Sequence, residues 1–199
     1  MSSMDTRNLK LRFRPGLRLT DEAFWRLCRA NPELDLERSA EGDLIIVAPA
    51  GADSDHRNAG VVARLWYWNE ANGEPGVVFG PSAGFTLPNT AIRGPDAAWI
   101  SRDRWEATPE ADRKRFVHLC PEFVVEVRSP SDELNVLRKK MREYIAQGTR
   151  LGWMIDPKTQ TVEIYRPDPP VERLKRPDML SGEDVLPGFE LELKGILYD

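Results

Sequence analysis

Apolar and polar residues alternate along the chain with two different periods, which separate predicted helices from predicted strands. Apolar side chains at helical spacing behind a polar start predict helices over 21–30, 53–70 and 131–147. Short apolar or alternating segments bounded by turn residues predict strands over 34–38, 44–47, 77–79, 85–87, 97–100, 123–127, 151–155, 161–165 and 189–193. The charged segment 101–119 and the proline-rich segment 167–177 are expected to be irregular. Helices interspersed among strands predict an α/β fold.

Residues 123–127 form the most strand-like run and are expected to be a central, buried strand. Glu126 interrupts this run, and a carboxylate in such a position is unfavourable by several kcal/mol unless a partner, a metal or a sheet edge accommodates it. Asp96 lies at the mouth of the preceding predicted strand. Two simpler interpretations stay open, an outward-facing acid on an edge strand for Glu126 and a turn residue for Asp96.

The helix that follows Glu126 carries two adjacent lysines, and helical geometry distinguishes them. At about 100° per residue, the apolar side chains of this helix cluster on one face, with Lys139 nearly opposite and Lys140 at the edge. Lys140 is therefore the lysine that can reach inward. A boundary lysine whose ammonium group extends into water is the alternative.

Length and composition indicate a single folded domain. The chain has 199 residues, 41% of them hydrophobic, which is enough for one sizeable core. Residues 7–18 carry five basic residues and no acid, so we expect a basic N-terminal arm over 1–18 and one domain over 19–199. A solvated, partly disordered chain end is favoured for this arm over one that contacts phosphates.

Charge and cysteine content restrict the classes of function. With 28 Lys and Arg against 32 Asp and Glu, the net charge is −4, which disfavours coating of nucleic acid by bulk positive charge but allows a local basic patch. Cys28 and Cys120 form no metal-ligand spacing and no disulfide framework, so a reducing, cytoplasmic location is expected. No signal peptide or membrane-spanning segment is predicted.

The order and spacing of several short motifs resemble the Uma-two family of putative restriction endonucleases, a branch of the PD-(D/E)XK nuclease superfamily. The resemblance covers most of the chain from about residue 33. It rests on Leu36-Glu37, Gly42-Asp43-Leu44-Ile45, His56, Pro95-Asp96, the segment 121–131, the step from Lys140 to Tyr144, Gly148, Trp153, Asp156-Pro157 and the segment 186–189.

This resemblance implies a restriction-endonuclease-like core, in which a central mixed β-sheet is flanked by helices. It also implies that Asp96 and Glu126 are metal-binding carboxylates and that Lys140 is a catalytic basic group. Mg²⁺, or Mn²⁺ in its place, suits such oxygen ligands. The implied activity is metal-dependent endonucleolytic hydrolysis of DNA phosphodiester bonds.

Three accessory positions also follow from the resemblance. The superfamily's usual lysine two residues after the glutamate is Arg128 here; arginine stays protonated, so it can bind phosphate but cannot act as a base. Glu37 and His56 match recurring family positions, Glu37 as an extra ligand and His56 as a phosphate or water contact. A strand-end glutamate and a capping histidine are the simpler interpretations of these two residues.

Two other functions compete with the nuclease. A catalytically inactive nuclease-fold module that binds DNA or a protein partner predicts no metal dependence, and a hydrolase of small phosphodiesters predicts indifference to the basic arm. Because nuclease domains of this kind often pair to cut two strands, a homodimer is an additional expectation. Trp66, Trp68 or the C-terminal strand would form its interface, unless these residues are simply core.

Overall fold

The computed structural model describes residues 8–13, 18–168 and 170–198. Its helices are α1 (Asp21–Ala30), α2 (Ala52–Ala71), α3 (Arg102–Ala107), α4 (Glu110–Arg113) and α5 (Leu134–Ala146). Its strands are β1 (Leu9–Leu11), β2 (Asp35–Arg38), β3 (Leu44–Val47), β4 (Gly76–Phe79), β5 (Phe85–Thr86), β6 (Ile92–Arg93), β7 (Ala97–Ser101), β8 (Phe123–Val127), β9 (Leu151–Asp156), β10 (Thr161–Tyr165), β11 (Glu172–Lys175), β12 (Met179–Ser181) and β13 (Glu190–Glu192). Every helix of the described ranges is too short or too polar to cross a membrane.

A mixed sheet of six strands forms the centre of the molecule, in the order β11-β10-β9-β8-β7-β4. Its strands pair antiparallel except β8 and β9, which run parallel because α5 connects them as a crossover. All five residues of β8 are buried, as expected for a central strand covered on both faces. The predicted α/β fold with a central mixed sheet flanked by helices is confirmed.

The two faces of β8 serve different purposes. Phe123, Val125 and Val127 belong to the larger hydrophobic core, together with Val61, Leu65 and Trp68 of α2 and the C-terminal residues Phe189 and Leu191. Val124 belongs to a second core, which includes Leu137, Met141 and Tyr144 of α5. Since side chains alternate along a strand, Glu126 faces α5. This alternation places an acid beside the helix that carries Lys140.

A second sheet brings Glu37 to the same region. Its order is β1-β3-β2-β6-β5, with β2 and β3 as the predicted hairpin. Helix α1 packs Phe24 against Leu44 and Ile92 of this sheet, and Thr20 caps the helix by accepting a hydrogen bond from the Ala23 amide at 3.1 Å. Strand β1 lies within the predicted arm, whose residues 1–7 and 14–17 fall outside the described ranges.

The structure corrects several predicted element boundaries. Segment 101–119 contains α3 and α4, and segment 167–177 contains β11, which pairs with β10; both were expected to be irregular. Strands β1, β6 and β12 were not predicted; β1 pairs with β3 in the segment expected to be a solvated, partly disordered arm. These elements are short or mostly exposed, so they lack the apolar periodicity that identifies an element from sequence.

Two predicted helix starts also change. Helix α2 begins at Ala52 behind Gly51, which forms no side-chain cap, whereas Asp53 or Ser54 was the predicted cap. Helix α5 begins at Leu134, because the Asp132 carboxylate accepts a hydrogen bond from the Ser129 amide at 2.8 Å within the preceding loop.

Candidate active site

Lys140 joins two carboxylates that come from different sheets. Its ammonium nitrogen lies 2.8 Å from Oε1 of Glu37 on β2 and 2.8 Å from Oε1 of Glu126 on β8. It also donates to the Gly94 carbonyl oxygen at 3.0 Å. The Lys140 side chain is only 16% exposed, whereas Lys139 on the same helix is an exposed residue. The inward direction predicted for Lys140 is therefore observed.

Glu126 is buried and accepts hydrogen bonds from two side chains of α5. Besides Lys140, the Tyr144 hydroxyl donates to Glu126 Oε1 at 3.1 Å. Lys140 and Tyr144 are four residues apart and lie on neighbouring turns, so one helix supplies both contacts. A buried carboxylate needs such partners. Glu126 is therefore a paired acid on a central strand and not an outward-facing acid on an edge strand.

Glu37 is fixed from three directions. Besides Lys140, the Arg93 guanidinium contacts Glu37 Oε2 at 3.0 Å and the Gly94 amide donates to Oε1 at 3.0 Å. Arg93 is itself held by Glu143 of α5, whose Oε2 lies 2.6 Å from its Nε. The network therefore ties β2, β6 and α5 together around Lys140.

Asp96 lies beside Glu126 through a backbone contact. Its Oδ2 accepts from the amide of Val127, the residue after Glu126, at 2.7 Å. Its Oδ1 accepts from Nδ2 of Asn58 on α2 at 2.9 Å. The Oδ1 atom of Asn58 is buried and has no hydrogen-bond partner among the described residues. Buried carbonyl oxygens are normally satisfied, so this atom marks a place where a further group fits the site.

Burial and neighbouring charge set the protonation of the four groups. Burial raises the pKa of Asp96 to about 6. Burial, together with the charges of Asp96 and Glu37, raises the pKa of Glu126 to about 8 despite Lys140. Burial opposes ionisation of Glu37, but Lys140 and Arg93 outweigh it and lower the pKa of that carboxyl.

Lys140 remains protonated at neutral pH. Burial alone would lower the pKa of its ammonium group, but Glu126 and Glu37 outweigh burial and raise it. Lys140 therefore acts as a cation and hydrogen-bond donor in this site. An ammonium group in this state cannot accept a proton.

The structure places the other two predicted accessory residues away from Lys140. Arg128 contacts Oδ2 of Asp156 at 2.9 Å and donates to the Asp132 carbonyl oxygen at 3.3 Å. His56 is exposed on α2 and forms no hydrogen bond or ion pair with any described residue. Among the six predicted site residues, the geometry thus brings together Glu37, Asp96, Glu126 and Lys140.

The sequence analysis did not assign Asn58, Arg93 or Tyr144 to the site. Asn58 had a detectable signal, because it lies three and seven residues before the buried Val61 and Leu65 on one face of α2. A polar residue on an apolar helix face requires a partner. Tyr144 shares the face of Lys140 at a spacing of four. Arg93 had no such signal, since its partners lie 56 and 50 residues away.

Asp96, Glu126 and Asn58 all offer oxygen atoms as potential metal ligands. The two carboxylates of Asp96 and Glu126 and the unpartnered Oδ1 of Asn58 are the hard ligands that Mg²⁺ and Mn²⁺ prefer. The oxygen ligands that these residues offer therefore suit a divalent cation. Within the described ranges, no three His, Cys, Asp or Glu side chains form a metal-binding group by themselves.

Known proteins provide an independent comparison. A family model described as "Uma2: Putative restriction endonuclease" matches residues 21–194. The crystal structure of a putative nuclease belonging to DUF820, from Anabaena variabilis ATCC 29413, shares the fold with a TM-score of 0.69 at 21% sequence identity, covering 83% of this chain and 90% of that one. The search of curated proteins gave no match. Since the family model spans nearly the whole described domain, the chain belongs to the Uma2 family.

Proposed function

We propose that this protein is a metal-dependent endonuclease that hydrolyses DNA phosphodiester bonds. The observation that carries the proposal is the meeting of Lys140 with Glu126 at the end of β8, beside Asp96, in a member of the Uma2 family. Family membership supports nuclease activity in general. The metal requirement, the DNA substrate and the role of each residue are our inference from the side chains.

Asp96 and Glu126, with the amide oxygen of Asn58, would hold Mg²⁺ or Mn²⁺. When bound, such a cation polarises the phosphodiester, lowers the pKa of a coordinated water and offsets charge in the transition state. Asn58 and the Val127 amide orient Asp96, while Tyr144 and Lys140 orient Glu126. These hydrogen bonds fix the two carboxylates before substrate arrives, which reduces the reorganisation that the reaction requires.

Lys140 has the position and charge to act on the attacking water and the phosphate. As a protonated donor, it orients the water and stabilises negative charge on the phosphate oxygens. Glu37 and Arg93 are positioning residues, because Glu37 holds Lys140 and Arg93 holds Glu37. Proton transfer from the water then falls to a group other than Lys140.

The DNA-facing surface would be locally basic although the net charge is −4. Lys139 and Arg142 of α5 are exposed, whereas Arg138 is held by Glu163. In the described part of the arm, Lys10 forms an ion pair with Asp43 at 2.9 Å. The arm thus contributes less free charge than its composition suggests.

We also propose that the protein forms a homodimer, and the structure reduces the number of candidate interface residues. Trp68 and the C-terminal Leu191 are buried in the larger core, so they are unsuited to the interface role for which they were candidates. Trp66 is 52% exposed and the adjacent Tyr67 is 74% exposed on α2. These two aromatic side chains are the interface candidates that the structure leaves accessible.

A plasmid-nicking assay tests the proposal on the wild type and on Asp96→Asn, Glu126→Gln and Glu70→Gln. Each variant is first shown to be folded by circular dichroism. Glu70 is an exposed residue of α2, so Glu70→Gln is a matched control for neutralising one glutamate. We expect nicking with Mg²⁺ or Mn²⁺, none with EDTA, and a loss of at least about 100-fold in the two site variants only.

Failure of the folded wild type to nick DNA with either metal would overturn the endonuclease proposal. DNA binding that survives both substitutions without any cleavage would instead favour the inactive binding module. Cleavage of a small phosphodiester with no cleavage of plasmid would favour the small-substrate hydrolase.

A further inference from the structure

A second charged cluster lies on the other flank of α5 from Lys140. Met141 of α5 packs onto β9; Lys140 reaches Glu126 on β8, whereas Arg138 reaches Glu163 on β10. Glu126 and Glu163 are both register partners of Met154, so they face the same side of the sheet two strands apart. Strand spacing puts their backbones about 10 Å from each other. The two clusters are therefore neighbours separated by the helix.

The second cluster surrounds a cavity of about 390 Å³, which we call the arginine pocket. Its charged lining consists of Arg138, Arg142, Arg173 and Glu163, and its uncharged lining of Asn135, Val171 and the buried Tyr165. This volume is within the range of pockets that hold small ligands. The arginine pocket shares no residue with the carboxylate site.

The one carboxylate in the pocket is already neutralised. Arg138 contacts both oxygens of Glu163 at 3.1 Å, Arg173 donates from Nε to Oε1 at 3.0 Å, and the Tyr165 hydroxyl donates to Oε2 at 2.7 Å. Glu163 itself is 3% exposed. Three guanidinium groups against one carboxylate leave two formal positive charges in the pocket, and each bound arginine still has unused N–H donors.

Arg142 is not needed for the ion pairs that hold this part of the structure together. Arg138 and Arg173 suffice to connect α5 and β11 to Glu163 on β10. Arg142 is exposed, lines the same cavity, and forms no hydrogen bond or ion pair with any described residue. Its five donors are therefore available to a ligand.

We propose that the arginine pocket binds a phosphate group. Planar guanidinium groups recognise phosphate through paired, charge-assisted hydrogen bonds, and two uncompensated positive charges match a phosphate ester. Val171, which is 39% exposed, and the exposed Asn135 provide surface for the organic part that carries the phosphate. That part is either a small molecule such as a mononucleotide or the backbone of a nucleic acid. Arg142 also belongs to the surface proposed to face DNA, so binding of inorganic phosphate or a mononucleotide with EDTA present is the result that separates this proposal from the nuclease function.

Calorimetric titration of the full chain with EDTA present tests the pocket without metal at the carboxylate site. The probes are inorganic phosphate, a 5′-mononucleotide and a short DNA duplex at constant ionic strength. The proteins are the wild type, Arg142→Ala, Arg142→Lys and Arg29→Ala. Arg29 is an exposed arginine of α1, outside the pocket, and serves as the control for loss of one surface charge. Arg142 has no protein partner to lose, so its variants are expected to fold.

We expect saturable binding by the wild type that weakens about 10-fold or more in Arg142→Ala. Arg142→Lys should retain part of it, and Arg29→Ala should bind like the wild type. Saturation by phosphate or the mononucleotide would identify a small ligand, and saturation by the duplex alone would identify a nucleic-acid backbone. The proposal is overturned if no probe saturates the wild type, or if Arg142→Ala and Arg29→Ala bind equally.

Discussion

At the residue scale, Lys140 contacts two buried carboxylates, and the two depend on it to different degrees. Lys140 lies 2.8 Å from Glu37 and from Glu126. Without it Glu37 keeps its ion pair with Arg93, whereas Glu126 keeps the Tyr144 hydroxyl but no cation among the described residues. Removing one partner of a buried ion pair is more costly than removing an exposed charge, because water does not replace the lost contact. Lys140 thus has a structural role as well as the catalytic one proposed.

Lys140→Ala should lower the free energy of unfolding by about 2–3 kcal/mol at pH 7, because Glu126 loses its cation while Arg93 still pairs with Glu37. Lys139→Ala on the same helix should change it by no more than about 0.5 kcal/mol, since Lys139 is exposed. Urea unfolding followed by circular dichroism measures both variants. Equal stability of the two would show that Lys140 is not the cation on which the buried acids depend.

Glu163 provides a pH test that is separate from the carboxylate site. Burial opposes its ionisation, but hydrogen bonds from Arg138, Tyr165 and Arg173 outweigh burial and lower the pKa of Glu163 to about 2. A carboxyl whose folded pKa lies below its ordinary value of 4.5 stabilises the fold above pH 4.5. That stabilisation is lost progressively as the pH falls from 4.5 towards 2.

Glu163→Gln should therefore be less stable than the wild type by about 2 kcal/mol at pH 7, allowing for solvent screening. The difference in free energy of unfolding between the two proteins should shrink as the pH is lowered from 4.5 towards 2. Urea titrations at a series of pH values measure it. A difference that stays constant over this range would mean that ionised Glu163 does not stabilise the fold.

At the scale of elements, the close approach of α5 to β9 keeps Lys140 over Glu126. Gly152 permits this approach, since a Cβ there would lie 2.6 Å from Cε of Met141 and 3.4 Å from a methyl group of Val124. The Met141 side chain is fully buried and fills the space between helix and sheet. The position of the whole helix, and with it Lys140 and Tyr144, depends on this contact.

Gly152→Ala should destabilise the protein by about 1–3 kcal/mol because it overpacks the interface of α5 and β9. Adding Met141→Leu should recover part of this loss by removing the terminal methyl group that obstructs the new Cβ. Gly51→Ala is the control, since no heavy atom lies within 4 Å of a Cβ at that position. Thermal unfolding of the wild type, the three single variants Gly152→Ala, Met141→Leu and Gly51→Ala, and the double variant measures these effects. Additive losses in the double variant would contradict the packing explanation.

Elements with strong periodicity were predictable from sequence, and weakly patterned ones were not. The hairpin of β2 and β3, helix α1, strand β8 and strand β9 matched their predicted ranges to within a residue or two. Strand β11 was missed because its residues Glu172–Lys175 are mostly exposed at the sheet edge, where burial imposes no alternation. Because apolar periodicity arises from burial, an exposed edge strand does not show it in the sequence.

The candidate site was predictable to a similar degree. Asp96, Glu126 and Lys140 stood out by their position relative to a buried strand and a helix face, although the metal and catalytic roles of these residues came from a family resemblance. The contact of Glu37 with Lys140 could not be predicted from position, because it joins residues 103 apart in the sequence. Arg128 was a natural candidate by its spacing from Glu126, yet its guanidinium is held by Asp156 at the end of β9.

At the scale of the molecule, the site lies where the two sheets meet. The five-stranded sheet supplies Glu37, and the six-stranded sheet with α5 supplies Glu126 and Lys140. Asn58 of α2 reaches Asp96 from the opposite face of the central sheet. Since these groups come from distant parts of the chain, the site forms only when the whole domain is folded. A divalent cation that binds here should therefore also stabilise the folded state.

Calorimetry tests directly whether Asp96 and Glu126 hold a divalent cation. Mg²⁺ and Mn²⁺ are titrated into the wild type, Asp96→Asn, Glu126→Gln and the control Glu70→Gln. The account predicts saturable binding by the wild type and Glu70→Gln, and loss of that binding in the two site variants while both remain folded. It also predicts a rise in thermal stability with metal for the wild type and Glu70→Gln, and none for the two site variants. Absence of metal binding by the folded wild type, or binding by Asp96→Asn and Glu126→Gln as tight as that of the wild type, would contradict it.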